Sequence, residues 1–142
     1  MLEILIERLH NQQCSLVVMH NGIISTYHKK GVRDLMWLID HEPSTLQGAI
    51  LADKIIGKAA AGLMVNAGVS EVYGDVVSKK AIPLFEEAGI PYSYATVVDR
   101  IVIPKGDDRC PLEEIVDVAD TPEVVEQLLR AHFEEMQRLN NN

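Results

Sequence analysis

Apolar residues recur at two different spacings along the chain, and each spacing predicts a different element. Spacings of three and four predict amphipathic helices over 2–9, 32–41, 79–88 and 121–139. Short runs rich in β-branched and aromatic residues predict strands within 14–29, 70–78 and 91–104. The first of these runs contains Asn21-Gly22, a pair that tolerates the positive φ angles of a two-residue turn, so it predicts a β-hairpin.

Residues 45–66 form the longest stretch with helical character, and Gly68 follows as a left-handed C-terminal residue. In projection at 100° per residue, one face of this predicted helix is polar or small. It holds Asp53, Lys54, Gly57, Lys58 and Ala61, and the opposite, core-facing side holds Ala52, Ile55, Ile56, Ala59, Ala60 and Leu63.

The predicted order is helix, hairpin, two helices, strand, helix, strand and a C-terminal helix. A hairpin followed by alternating strands and helices predicts an α/β protein. We therefore expect a three-layer α-β-α arrangement around a mixed sheet, with the N-terminal hairpin in that sheet and residues 1–142 as one domain.

Composition narrows the partners and the location of the protein. A net charge of −8 opposes non-specific binding to nucleic acid. No apolar segment approaches the roughly 20 residues that cross a bilayer, and the acidic, amphipathic N-terminus is unlike a secretion signal. With only two cysteines there is no disulfide framework, so a cytoplasmic protein that contacts no membrane is the simplest interpretation.

The polar face of the predicted long helix is the main candidate for a binding site. Lys54 and Lys58 would lie one turn apart, where like charges repel, and interior Gly57 lowers helix stability. A phosphate or carboxylate between the two ammonium groups would compensate for both, because charge-assisted hydrogen bonds are strong. Asp53 would then bind a hydroxyl or amine of the same ligand.

A second wall for this site is expected at the carboxyl end of the strand in 70–78, where α/β sheets bind ligands. Asp75, Ser78 and Lys79 lie there in the sequence. The later segment "RCPLEE" resembles a helix start, and we expect it to close the pocket through Cys110 and Glu113. Pairing of Glu113 with one lysine would instead make the site structural.

A metal-independent enzyme is an alternative to a binding protein. Cys110 at a helix start beside Arg109 is a candidate nucleophile, and Lys54 or Lys58 is a candidate base if each lowers the pKa of the other. The five histidines are scattered, and no zinc, P-loop or dinucleotide motif occurs. We therefore expect neither a metal nor a cofactor.

Three stretches together resemble a bacterial family defined only as a domain of unknown function, DUF1893. They are "GAILADKIIGKAAAGLMVNAGV", "VYGDVVSKKAIPLFEEAGI" and the late "CPLE". The likeness extends from about Cys14 into the last helix, and its most specific part is A-D-K-x-x-G-K-A-A-A. The structurally described type of this family is similar to cytidine deaminases in fold, so the resemblance implies a cytidine deaminase-like fold.

Deaminases of that fold bind zinc through H-x-E or C-x-E at a helix start and through P-C-x-x-C at the next. The predicted long helix starts "TLQGAILADK", and the second position reads "DVVSKKAIPLFEEAGI", so neither site has its ligands. The fold carries over but zinc and deamination do not. We expect a protein that binds a small anionic or nucleotide-like molecule; the alternatives are the metal-independent enzyme and an oligomeric interaction module. A homo-oligomer is expected in either case, with Gly57 allowing close approach of a second subunit.

Overall fold

The computed structural model describes residues 1–29, 32–102 and 111–141. Within these ranges the chain forms five strands and seven helices. The strands are β1 (Leu16–His20), β2 (Ile23–Tyr27), β3 (Ile50–Ile56), β4 (Glu71–Ser78) and β5 (Tyr92–Val98). The helices are α1 (Leu2–Asn11), α2 (Arg33–His41), α3 (Pro43–Leu46), α4 (Lys58–Ala67), α5 (Ile82–Ala88), α6 (Leu112–Val116) and α7 (Pro122–Asn140).

The five strands form one mixed sheet in the order β2-β1-β3-β4-β5. β1 pairs antiparallel with both β2 and β3, whereas β3, β4 and β5 run parallel to one another. Asn21 and Gly22 both have positive φ, at 52° and 79°, and join β1 to β2 as the two-residue turn that the sequence predicts. The α/β class and the mixed sheet with its N-terminal hairpin are thus confirmed.

The predicted long helix over 45–66 is wrong, because three elements occupy that stretch. α3 ends at Leu46, β3 runs from Ile50 to Ile56 as the central strand, and only Lys58–Ala67 is the helix α4. Lys54 and Lys58 therefore lie on different elements and do not share a helical face. Gly57 is the N-cap residue of α4 rather than an interior residue.

Helices cover both faces of the sheet. α1 packs on one face, where Leu5 and Leu9 join Val17, Ala52 and Tyr73 in a small apolar cluster. The larger core lies on the other face, between the sheet and helices α2 to α7. Its fully buried members include Leu38, Leu51, Ile56, Leu63, Phe85 and Leu129. Gly68 adopts the left-handed conformation after α4, as predicted, and Gly89 does the same after α5, while Thr121 caps α7.

Candidate functional site

A cavity of about 340 Å³ lies where β3 ends and α4 begins. Its walls come from the end of β3, the start of α4, α6 and the residues just before β1. His28 and Val32, between β2 and α2, and Ile101, after β5, complete them. The lining residues are Gln13, Ser15, His28, Val32, Asp53, Lys54, Ile55, Gly57, Ala59, Ala60, Ile101, Leu112 and Glu113. We call this space the β3–α4 cavity.

The carboxyl half of β3 contributes two neighbouring charges to the cavity. The Asp53 side chain is only 7% exposed, and its Oδ1 accepts a hydrogen bond from the Ile55 amide at 3.2 Å. Lys54 is partly buried on the same strand. In the described part of the chain, no hydrogen bond or ion pair joins its ammonium group to another residue.

The Glu113 carboxylate lies at the N-terminus of α4. It accepts hydrogen bonds from the backbone amides of Lys58 at 2.8 Å and Ala59 at 3.1 Å. These are two of the amides that a helix leaves without an internal partner, and the helix dipole favours a negative charge there. A Cβ at Gly57 would lie 2.4 Å from Glu113 Oε1, so the missing side chain of Gly57 makes room for this carboxylate.

Two lysines hold the end of α6 from the other side. Lys58 Nζ donates a hydrogen bond to the Asp117 carbonyl oxygen at 3.0 Å, and the Lys80 ammonium forms a short ion pair with the Asp117 carboxylate. The Lys80 hydrogen bond and charge, with a smaller effect from Lys58, lower the pKa of Asp117. α6 is therefore fixed to the starts of both α4 and α5.

The structure brings four predicted ligand-binding residues together and leaves four others outside. Asp53, Lys54, Gly57 and Glu113 line the β3–α4 cavity. Lys58, Asp75, Ser78 and Lys79 are not among its lining residues.

All four outlying residues have structural partners instead, and that of Lys58 is the Asp117 carbonyl oxygen. Ser78 is fully buried and accepts from the Lys80 amide at 3.1 Å, while Lys79 forms an ion pair with Asp99 at 3.0 Å. Asp75 does not mark the end of β4, which continues to Ser78.

Asp75 belongs to a cluster that also contains residues of α1 and β4. Its Oδ1 accepts from the Tyr73 hydroxyl at 2.7 Å and lies 2.8 Å from His10 Nε2. Burial and then the hydrogen bond to Asp75 raise the pKa of Tyr73 to about 12. The cluster joins the end of α1 to β4.

The structure changes the physical arguments on which the predicted enzyme and the predicted oligomer depend. Cys110 lies outside the described residues. The mutual effect of two lysines assumed a shared helical face, which does not exist. Gly57 and Ala61 are buried within this chain, so the predicted face for close approach of a second subunit is not at the surface.

Several cavity residues escape the sequence analysis, chiefly Ser15, His28 and Leu112. Ser15 Oγ is within hydrogen-bond distance of the carbonyl oxygens of Tyr27 (3.1 Å) and Lys29 (2.7 Å), which fixes the entry to β1. Ser15 and His28 are distant from Lys54 in the sequence and come near it because β1 pairs with both β2 and β3, whereas Leu112 is contributed by α6. The Asn21-Gly22 turn is the one sequence signal that could have brought β1 and β2 together.

Metal binding and membrane insertion have specific structural requirements. Among the described residues, no group of three or more His, Cys, Asp or Glu side chains could hold a metal ion. No helix in the same ranges combines the length and apolar character needed to cross a bilayer.

Comparison with known proteins places this arrangement in a family. Residues 4–133 match the family profile described as a domain of unknown function, DUF1893 (TM1506). The crystal structure of a DUF1893 family protein (TM1506) from Thermotoga maritima superposes with a TM-score of 0.81 at 24% sequence identity. The match covers 92% of this chain and 88% of that one, and it shows a shared fold. No curated protein matches the sequence. Because the profile spans most of the chain, this protein belongs to the DUF1893 family.

Proposed function

We propose that this protein binds a small anionic, nucleotide-like molecule in the β3–α4 cavity. The observation that carries the proposal is the partly buried Lys54 ammonium, which lines the cavity and has no anionic partner among the described residues. Lysines that lose part of their hydration are normally paired. A ligand carboxylate or phosphate would supply that missing partner.

The remainder of the cavity suits the uncharged part of such a molecule. Val32, Ala60 and Leu112 give it an apolar wall, and Ser15, His28 and Asp53 place polar groups near it. Its volume of about 340 Å³ is at the small end of the range of roughly 300–1,000 Å³ for ligand pockets. We therefore favour a ligand of mononucleotide size or smaller.

A cytidine deaminase-like fold is part of this proposal. The order of the sheet, with two parallel strands that each lead into a helix, suits that fold. Because residues 50–56 form a strand and not a helix start, the first zinc position of a deaminase would correspond to the start of α4 instead of "TLQGAILADK". The residues there are Gly57, Lys58 and Ala59. The second falls before α5, at Ser78, Lys79 and Lys80. Glycine, alanine, serine and lysines do not fit the zinc site of deaminases, so we derive no metal-dependent step.

Thermal shift and calorimetric titration with inorganic phosphate and the four common nucleoside monophosphates test the proposal. At least one should stabilise the wild-type protein, and Lys54→Met should abolish the effect. Lys79→Met is the matched control, since it removes the same charge from an exposed residue that lies outside the cavity and does not contact α6, so it should leave binding intact. The proposal is wrong if none of these anions binds, or if the two variants lose binding equally.

The metal-independent enzyme, the homo-oligomer and the cytoplasmic location stay predictions. Assays for turnover should therefore use whichever nucleotide binds, because the same ligand would be the first candidate substrate.

A further inference from the structure

The β3–α4 cavity contains a charge that works against the ligand proposed for it. Glu113 contributes a carboxylate to the wall, and Asp53 contributes a second. An anion bound at Lys54 would meet this like charge in a partly enclosed space, where Coulomb interactions are stronger than in bulk water.

The position of the Glu113 carboxylate is equally informative. It accepts hydrogen bonds from the backbone amides of Lys58 and Ala59, which lie at the edge of the same cavity. Gly57 leaves the space that the carboxylate fills. The protein's own side chain therefore holds an anionic group against these amides, in a cavity that Lys54 also lines.

α6 carries Glu113 and is attached to the rest of the fold by both apolar and polar contacts. It has five residues, of which Leu112 and Val116 are buried. Among the described residues, the polar contacts of α6 and its C-cap residue Asp117 to other elements are the two hydrogen bonds of Glu113 and the interactions of Asp117 with Lys58 and Lys80. The Lys80–Asp117 pair is on the surface, where ion pairs contribute little.

We propose that α6 is an autoinhibitory latch, in which the Glu113 carboxylate competes with the anionic group of the ligand for the β3–α4 cavity. The inference rests on the proposed function, because it concerns regulation of the same site. In the latched form Glu113 satisfies the two α4 amides. When an anion binds at Lys54, Glu113 leaves these amides and α6 loosens.

The latch predicts a gain of affinity, which a purely structural role of Glu113 does not. Glu113→Gln removes the competing charge with almost no change in shape. We expect it to tighten binding of the most stabilising nucleoside monophosphate by roughly three- to tenfold, the size expected from one nearby unit charge in a partly exposed site.

Glu114→Gln is the matched control. It makes the same change of charge on the next residue of α6, which is exposed and does not line the cavity, so affinity should change less than twofold. Lys80→Met is a second variant that loosens α6, because it removes the ion pair with Asp117 and leaves Glu113 unchanged. It should also tighten binding, by a smaller factor than Glu113→Gln because a surface ion pair contributes little, and it keeps the latch testable if Glu113→Gln fails to fold.

The possible results separate the two proposals. If the wild type binds and loses binding with Lys54→Met, but neither Glu113→Gln nor Lys80→Met binds more tightly, the latch is wrong and the proposed function stands. If no anion binds the wild type or any latch variant, both are wrong. Binding by Glu113→Gln alone would overturn both, because the wild type would then not bind the anion and ligand binding could not release Glu113.

Hydrogen exchange in the wild-type protein gives an independent measurement. The Ile115 amide, which donates to the Pro111 carbonyl oxygen at 3.0 Å, reports on the order of α6. The same nucleoside monophosphate at saturation should accelerate its exchange. Slower or unchanged exchange would mean that α6 stays docked over the bound ligand, which contradicts the latch.

Discussion

Gly62 lies inside α4 where that helix packs against α7, and its replacement by alanine tests how tightly the two helices meet. A Cβ at Gly62 would lie 2.5 Å from Val125 Cγ1 and 2.7 Å from Val125 Cβ. Val125 is completely buried, and a β-branched side chain in a helix has little rotational freedom. Its Cβ is attached directly to the α7 backbone, so α7 itself must shift.

Two opposing contributions determine the change in the free energy of unfolding. Alanine is favoured over glycine inside a helix by about 1 kcal/mol. Overpacking a well-filled core costs about 1–3 kcal/mol, and we expect the upper part of that range because a helix has to move. The substitution Gly62→Ala should therefore destabilise the protein by about 1–2 kcal/mol in total.

Urea denaturation followed by circular dichroism measures this difference at constant m value. Ala131→Gly, at an exposed position of α7, is the control for helix propensity and should cost about 1 kcal/mol without any packing change. If Gly62→Ala instead stabilises the protein by about that amount, the two helices are not in the tight contact described here.

Three further predictions concern the core, the latch and pH. Ile56→Ala removes a fully buried side chain and should cost about 2–5 kcal/mol in urea denaturation, whereas a cost below 1 would contradict its central position. Lys58→Met should cost about 1 kcal/mol or less, because it loses one exposed hydrogen bond; a larger loss would mean that this contact anchors the fold. Tyr73 stays protonated in the native state up to a pKa of about 12, but in the unfolded chain only to about 10. Stability should therefore fall by up to about 1.4 kcal/mol per unit between about pH 10 and 12, and Tyr73→Phe should reduce this slope.

The sequence predicts most elements because each has a local signal, but it fails at β3. The stretch "ILADKII" is short and mostly apolar, as expected for a strand buried on both faces, and periodicity cannot separate such a strand from part of a helix. The alanines that follow favour a helix, and the helix predicted from them therefore extends too far toward the N-terminus and includes β3. The strand lies between Gly48, which has a φ of 76°, and Gly57. Glycines often interrupt regular secondary structure, so these two are the sequence signal that favours a strand separate from the helix after it.

The candidate site was predicted in part for a related reason. Asp53, Lys54 and Gly57 are neighbours in the sequence, so they remain neighbours even when their secondary structure is misassigned. Glu113 was a candidate because its segment resembles a helix start, yet its partners are backbone amides rather than a lysine. Every residue except proline has a backbone amide, so the sequence alone does not show which amides a carboxylate will bind.

Within the part of the chain that the structure describes, β5 is an edge of the sheet, and this position has a consequence for the behaviour of the protein at high concentration. Its seven residues contain no charge and no proline, and Tyr94, Ala95 and Thr96 are exposed. Such an edge can pair with an extended segment of another molecule and begin aggregation. Pro91 before the strand and Asp99-Arg100 after it are the residues that discourage this at the two ends. A lysine in place of Thr96 should therefore extend the concentration range over which the protein stays in solution.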